Sequence, residues 1–157
     1  MIQIFTDTSA NLPAAYIQKY SLRVIPLHYS INGVQAQQDP TVDFDGKAYY
    51  DAMRSGTPVS TAMINLAAFL EPLHEALADG NDVIYIGMSG GISGTAHAAA
   101  MAVEELQEEF PERKIAAIDT YAASLGEGLL VIEAARMLEN GAPFSLIVEQ
   151  ISSRRHT

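Results

Sequence analysis

The sequence contains no cysteine among its 157 residues. This absence excludes disulfide bonds and a cysteine-based zinc site, and it is typical of proteins of the reducing cytoplasm. Long apolar runs are also missing, since none approaches the ~20 residues that a membrane-spanning helix needs. The first residues, MIQIFTDTSA, lack the basic region and the apolar stretch of a signal peptide. We therefore expect a cytoplasmic protein with no stable membrane span.

Basic residues are scarce as well. Nine Lys and Arg face 19 Asp and Glu, which gives a formal net charge of −10 at pH 7. Such a surface would repel a phosphate backbone, so nucleic acid is not an expected partner. A chain of this length is usually one domain, and it buries about 70% of the surface that its unfolded chain exposes. We expect residues 1–157 to form a single domain with its own core.

Strand-like and helical patterns alternate along the chain. The predicted strands are 2–6, 22–31, 83–88 and 114–119, and the predicted helices are 12–20, 44–54, 65–77, 94–110, 129–139 and 143–153. The polar segment 34–43 is predicted to be a surface loop. This alternation predicts an α/β fold, with a mostly parallel sheet and helices on both faces.

In such a sheet, ligands bind beyond the carboxyl ends of the strands. This rule selects three loops rich in Ser, Thr, Asp or Gly, at 6–11, 87–95 and 119–124. The second loop reads GMSGGISGT, and its glycines let a ligand approach the backbone closely. Free N–H groups at the start of the following helix would attract an anion. The loop is therefore a candidate anion site.

Two hydroxyl groups strengthen that hypothesis. Ser93 is placed either to cap the helix or to turn its hydroxyl toward a ligand, and Thr95 offers a second hydroxyl. Another polar segment, PVSTAMIN (58–65), places Ser60 and Thr61 just before the next predicted helix. They are either an ordinary N-cap or, if the two helix starts converge, part of the same site.

The motifs for phosphate ligands are missing. No Lys follows the glycines as in a phosphate-binding loop, and their spacing does not fit the dinucleotide pattern. No Lys or Arg lies between Arg54 and Arg113. A carboxylate carries a single charge, so hydroxyls and backbone N–H groups can bind it without a Lys or Arg. The histidines show no metal-ligand spacing, so we expect neither a metal nor a cofactor.

A serine hydrolase of the α/β type is the alternative. Residues 87–91 match G-x-S-x-G after a strand, and Ser89, Asp119 and His156 follow in the chain order of that enzyme class. The motif is short, no HGGG-like segment precedes it, and His156 is the penultimate residue. A protein-interaction module without a small ligand is a third hypothesis.

Five ordered segments resemble the amino-terminal domain of the DegV family of fatty-acid-binding proteins. TDTSANLP (6–13) is similar to T-D-S-T-A-D-L-P, and MSGGISGTAHAA (88–99) is similar to i-S-S-x-L-S-G-T-Y-Q-S-A. The other three segments are VIPLHYSINGVQAQQD (24–39), PVSTAMIN (58–65) and IDTYAASLGEGLLV (118–131). The resemblance covers nearly the whole chain.

The resemblance implies an α/β domain that binds one long-chain fatty acid. It also implies a carrier rather than an enzyme, which presents the acyl carboxylate to a partner fatty acid kinase for acyl-phosphate formation. By motif position, Thr61 and Ser93 would hydrogen-bond the carboxylate, with help from the N–H of Gly94. Further candidates for lining the pocket are Ser60, Met63, Met88, Ser89, Gly91, Ile92 and Thr95.

Two departures from the family pattern stand out. Residues 60–63 read STAM where the family has T-S-Q-P, so Thr61 aligns with either the family's Thr or its Ser. The family's second, carboxy-terminal domain, which supplies the other wall of the lipid cleft, is absent from this sequence. Truncation, proteolysis and a naturally short member would each explain this. We expect weak lipid binding by this domain alone, or self-association through the exposed cleft.

Overall fold

The computed structural model describes residues 1–155. The strands in this part of the chain are β1 Ile2–Asp7, β2 Arg23–Ile25, β3 His28–Ile31, β4 Val34–Gln37, β5 Val59–Ala62, β6 Asp82–Gly87 and β7 Ile115–Asp119. The α-helices are α1 Ala14–Lys19, α2 Gly46–Arg54, α3 Leu66–Ala78, α4 Thr95–Glu109, α5 Leu125–Glu139 and α6 Phe144–Arg154. A short 3₁₀ turn, Thr8–Ala10, follows β1. None of these helices is long and apolar enough to cross a membrane.

Four parallel strands form the central sheet in the order β2-β1-β6-β7. Successive residues of a strand point to opposite faces. Phe5 and Tyr85 therefore pack against α3 and α4, while Ile4 and Ile84 pack against α1, α5 and α6. Helices on both faces explain why β6 is almost entirely apolar. The prediction of an α/β fold with a mostly parallel sheet is confirmed.

A second, antiparallel sheet has the order β4-β3-β5 and was not predicted. Residues 34–37 of the expected surface loop 34–43 form β4, so the prediction is wrong for these four residues, while 38–43 contain no helix or strand. Three of the four β4 residues are exposed, and its sequence VQAQ has no large apolar side chain on alternate positions beyond Val34. The strand forms because the turn at Asn32-Gly33, where both residues have positive φ, folds it back onto β3.

The predicted strand 22–31 divides into two strands that belong to different sheets. β2 ends at Ile25 and β3 begins at His28, with Pro26 between them. Proline has no N–H group to continue a strand ladder, and this favours a break at that point. The chain therefore leaves the parallel sheet here and enters the antiparallel one.

The helix predicted at 65–77 is present, but its cap differs from the prediction. Ser60 and Thr61 lie on β5 and do not form the N-cap. Asn65 is the cap, because its side-chain oxygen accepts the N–H of Ala68 at 3.0 Å. The hydroxyls of Ser60 and Thr61 are therefore not used to begin α3.

Helix α5 begins at Leu125, four residues earlier than predicted. Gly126 and Gly128 have low helix propensity and hide this first turn in the sequence. A Cβ at Gly128 would lie 2.7 Å from the carbonyl oxygen of Ala10. Glycine at this position lets α5 pack directly on the turn after β1, so the helix that follows loop 119–124 contacts loop 6–11.

Candidate functional site

The three loops at the carboxyl ends of the strands lie together, as predicted. Both the N–H and the hydroxyl of Thr120 donate to the carbonyl of Gly87, at 3.1 and 2.8 Å. The N–H of Ser124 donates to the carbonyl of Ser9 at 2.9 Å. The ends of β1, β6 and β7 therefore form one continuous region of the surface.

The glycine loop, residues 88–94, uses several of its own N–H groups. The carbonyl of Ser89 accepts the N–H of Ser93 at 3.1 Å, and its hydroxyl accepts the N–H of Gly91 at 3.1 Å. The N–H groups of Gly90 and Ile92 are used as well, so the expectation that the loop amides are free is wrong for most of this loop. Ser89 is buried because it organises the loop from inside.

Gly94 is the N-cap residue of α4 and is exposed. Among residues 1–155, no acceptor is found for its N–H group. The N-terminus of a 15-residue helix carries a partial positive charge, and this group lies at it. The backbone of Gly94 is therefore available to an anionic ligand.

Two hydroxyls connect the start of α4 to the segment after β5. The N–H of Ile64 donates to Oγ1 of Thr95 at 3.2 Å, and Thr95 is fully buried. The hydroxyls of Thr95 and Ser93 are hydrogen-bonded at 2.9 Å. The Thr95 N–H also donates to Ser93 Oγ, at 3.3 Å, so Ser93 takes part in capping. Both readings of Ser93, cap and ligand-facing hydroxyl, remain compatible with this geometry.

Met63 covers the start of the same helix. A Cβ at Gly94 would lie 2.8 Å from the sulfur of Met63, so only glycine lets the two approach this closely. The Met63 side chain is 47% exposed and forms an apolar surface next to the Gly94 backbone. The segments 58–65 and 88–95 are thus brought together, which is the condition for both to belong to one site.

A cavity of about 220 Å³ lies beside this junction. Its polar lining comes from the turn after β1 and from β3, β5 and the residue after β4: Thr8, Ser9, Asn11, His28, Gln38 and Thr61. Its apolar part is formed by Leu27, Tyr29, Phe44, Tyr49, Tyr50 and Met88. A cavity with hydroxyls on one part of its wall and apolar side chains on the rest suits an amphiphile.

The aromatic wall of the cavity was not identified from the sequence. Tyr49 is at its centre, with ring centroids 5.9 Å from Tyr29, 5.2 Å from Phe44 and 5.3 Å from Tyr50. Burial raises the pKa of Tyr49, so its hydroxyl stays neutral. The adjacent Tyr49 and Tyr50 in the predicted helix 44–54 could have indicated an aromatic surface, but the sequence did not indicate that β3 lies opposite that helix.

The remaining candidates occupy different environments. Ser60 is exposed and its hydroxyl pairs with that of Ser30 at 2.8 Å. Thr61 is its neighbour on β5, so the two side chains point to opposite faces of the strand. No hydrogen bond joins Thr61 to Ser93 in the described residues. That Thr61 and Ser93 bind the same carboxylate stays a prediction.

Several large apolar side chains near these loops are exposed. We call this set the apolar rim: Met63, Ile92, Tyr121, Leu125 and Leu129. Their exposed fractions range from 47% for Met63 to 73% for Leu125. Exposed apolar side chains close to a pocket are candidates for contact with a partner or a ligand.

A buried polar network lies below the loops, and sequence reasoning missed most of it. Asp7 and Glu127 are both buried, and the Ser9 hydroxyl lies between them. The hydroxyl of Tyr85 donates to Asp7 at 2.6 Å, and that of Thr6 donates to Glu127 at 3.4 Å. Glu127 shares a helix face with the buried Leu130 and Val131, which was the signal that it points inward.

The surroundings of Glu127 disfavour its charged form. Burial, with the nearby charge of Asp7, raises the pKa of Glu127 to about 9, although the Ser9 and Thr6 hydroxyls oppose the shift. Burial and Asp7 also raise the pKa of Tyr85 well above its usual value. Asp7 caps the turn after β1 by accepting the N–H of Ser9 at 2.8 Å.

The serine hydrolase alternative receives little support from the geometry. The carboxylate oxygens of Asp119 accept the N–H groups of Gly90 at 3.0 Å and Tyr121 at 2.9 Å, so they organise loops. In residues 1–155, no histidine hydrogen-bonds to Ser89 or Asp119. His156 lies outside the described residues.

The fold and this site define a parallel α/β domain with a hydroxyl-bearing pocket at the carboxyl ends of its strands. A family model described as an uncharacterised protein of the DegV family matches residues 1–157. A DegV domain-containing protein of Clostridium perfringens is 31% identical over 153 residues, which cover 98% of this chain and 53% of that protein. The chain belongs to the DegV family.

Solved structures agree with this assignment. A fatty-acid-binding DegV family protein of Thermus thermophilus has 28% identity and a TM-score of 0.84, over 99% of this chain and 53% of that one. A fatty-acid-binding DegV family protein of Streptococcus agalactiae has 28% identity and a TM-score of 0.80, over 99% of this chain and 54% of that one. The chain spans about half the length of the relatives it matches.

Proposed function

We propose that this domain binds a long-chain fatty acid, with the carboxylate at the start of α4 and the acyl chain along the cavity and the apolar rim. One observation carries the proposal: the Ser93–Thr95 hydroxyl pair lies at a helix N-terminus, and the Gly94 N–H there has no acceptor among residues 1–155. Apolar side chains, Met63 and Met88, flank this polar point on the adjoining segments. Fatty-acid binding by the related Thermus and Streptococcus proteins supports it.

The hydrogen-bond arrangement favours a carboxylate. Thr95 accepts from Ile64, and either hydroxyl of the Ser93–Thr95 pair can be the donor to the other; the proposal takes Thr95 as the donor. In that arrangement the Ser93 hydrogen is directed to the ligand. Thr61 supplies a hydroxyl from the cavity wall, and Ser60, Gly91 and Ile92 contribute only the outer surroundings. Neutral donors bind the carboxylate less strongly than a bidentate, charge-assisted interaction with Arg would.

The carrier role rests on the family resemblance. A fatty acid held by neutral hydroxyls keeps its carboxylate available, and a partner fatty acid kinase would then form the acyl-phosphate. The protein itself would be a carrier and not the phosphotransferase. We expect the pair to act in the cytoplasm.

The apolar rim is the proposed contact surface for a second domain. Relatives extend to about twice the length of this chain, and the rim lies at the edge of the candidate site. A second domain there would complete the lipid cleft, and in its absence the rim would favour self-association.

Native mass spectrometry of this chain, mixed with oleate and purified gently, tests the proposal. We expect a one-to-one complex whose occupancy falls in the Ser93→Ala variant and is unchanged in Ser60→Ala. Gel filtration of the same samples separates monomeric complexes from self-associated ones. No complex at any oleate concentration below its aggregation limit would overturn the proposal.

A further inference from the structure

The hydroxyl of Ser9 lies between two buried carboxyl groups. Its oxygen is 2.5 Å from Oδ1 of Asp7 and 2.7 Å from Oε2 of Glu127. A serine hydroxyl carries one hydrogen, so it donates to only one of them. The other contact needs a hydrogen that belongs to the carboxyl group itself. The geometry therefore requires one of the two carboxyl groups to be protonated.

The surrounding donors identify which one. Asp7 also accepts the Ser9 N–H at 2.8 Å and the Tyr85 hydroxyl at 2.6 Å, as an anion does. Glu127 has only the Ser9 contact and a longer one, 3.4 Å, from Thr6. The hydrogen therefore belongs to Glu127, which donates to Ser9, and Ser9 in turn donates to Asp7.

This chain of hydrogen bonds ends in the wall of the cavity. Ser9, Thr8 and Asn11 belong to its polar lining. The same turn is held by the Ser124 N–H, which donates to the Ser9 carbonyl at 2.9 Å, and by the Asn11 side chain, which donates to Ser124 Oγ at 3.0 Å. Of these hydrogen bonds, only the one that Glu127 donates is lost when a side chain is deprotonated.

We propose that Glu127, as a neutral carboxylic acid, is a positioning residue that fixes the turn after β1 for fatty-acid binding. The inference rests on the proposed function. Loss of the proton removes the donor to Ser9 and places a second negative charge beside Asp7. The turn then separates from α5, and the polar part of the cavity loses its shape.

The ionisable groups that face the network do not offset that charge. Asp7 comes from β1, Tyr85 from β6, and Asp119 lies at the end of β7. In residues 1–155, no Lys or Arg side chain hydrogen-bonds to Glu127. The pKa of Glu127, raised to about 9, sets the pH at which the effect should occur.

The test is a binding titration with a fluorescent long-chain fatty acid from about pH 7 to about pH 10.5. In the unmodified chain, we expect the Kd to rise about tenfold between pH 8 and pH 10, because binding is linked to one proton. Glu127→Gln keeps a neutral donor toward Ser9, so its Kd should stay flat. Parallel curves for the two proteins, whether flat or rising, would overturn the proposal.

Two further measurements keep the result decisive. Glu127→Ala removes the donor, and we expect weaker binding at every pH, with Glu127→Gln restoring it. Infrared spectroscopy should detect a neutral carboxyl carbonyl at neutral pH that is lost in Glu127→Gln, and a missing band would overturn the proposal even if the alanine variant failed to fold. No lipid binding at any pH overturns the proposed function together with this role. Normal binding that Glu127 does not influence overturns this role alone.

Discussion

The backbone N–H of Ile64 donates to the buried hydroxyl of Thr95 at 3.2 Å, across 31 positions of the sequence. Through this bond the segment after β5 and the first turn of α4 become one unit. Ser93 and Met63 belong to the same unit, because Ser93 bonds to Thr95 and Met63 packs on Gly94. The candidate site for the carboxylate is therefore held together by this hydrogen bond and by the packing of Met63 on Gly94.

Replacing Thr95 by Val should destabilise the fold. The variant keeps the shape of the side chain but leaves the buried Ile64 N–H without an acceptor, which costs about 1–3 kcal/mol. Thr95→Ser keeps the hydroxyl and should lose less stability than Thr95→Val. The free energy of unfolding, measured with denaturant, checks this. Equal stability of Thr95→Val and the unmodified chain would show that the bond contributes nothing.

Replacing Ser93 by Ala should weaken fatty-acid binding. A hydrogen bond to a charged group contributes about 1.5–3 kcal/mol, so we expect the Kd to rise about tenfold or more. Thr61→Ala should act in the same direction. Ser60→Ala is the matched control, because its hydroxyl pairs with Ser30. Calorimetric titration measures the three affinities, and a similar loss in Ser60→Ala would contradict the assignment.

Replacing Gly128 by Ala should separate α5 from the turn after β1. The new Cβ would meet the Ala10 carbonyl at 2.7 Å, and a backbone atom cannot move as cheaply as a flexible side chain. We expect the free energy of unfolding of Gly128→Ala to fall by about 1–3 kcal/mol. Gly46→Ala is the control, since its Cβ would meet Phe44 and Tyr50 at an ordinary 3.8 Å. Thermal unfolding compares them, and an unchanged midpoint for Gly128→Ala would be the contrary result.

The stability of the fold should depend on pH through Glu127. In the unfolded chain its pKa is near 4.5, and in the folded chain it is about 9. Between these values only the folded state holds the proton, so this contribution is complete below pH 4.5 and is lost as the pH rises toward 9. The slope is at most about 1.4 kcal/mol per pH unit.

Glu127→Gln should remove this contribution. Other groups titrate over the same range, so the informative quantity is the difference in unfolding free energy between the two proteins at several pH values. We expect the difference to shift steadily in favour of Glu127→Gln as the pH rises from 5 to 9. A constant difference would mean that Glu127 ionises normally in the folded chain.

Local sequence patterns predicted the parallel part of the fold. The apolar run of β6 and the glycine loop after it indicated a strand, a turn and a helix, and each lies within one or two residues of its predicted place. The same patterns did not reveal β4, because VQAQ is mostly exposed and its pairing depends on the turn before it. They also did not reveal the first turn of α5, where two glycines interrupt the helical pattern.

The family, the α/β class and the three loops followed from the amino-acid sequence, because residues close together in the chain carry these motifs and apolar patterns. The contacts of Ile64 with Thr95, of Tyr29 with Tyr49 and of Glu127 with Asp7 are visible only in the folded structure. These pairs are distant in sequence, and strand order and helix packing bring them together. The raised pKa of Glu127 belongs to the second group, since it depends on what surrounds the carboxyl group and not on the residue alone.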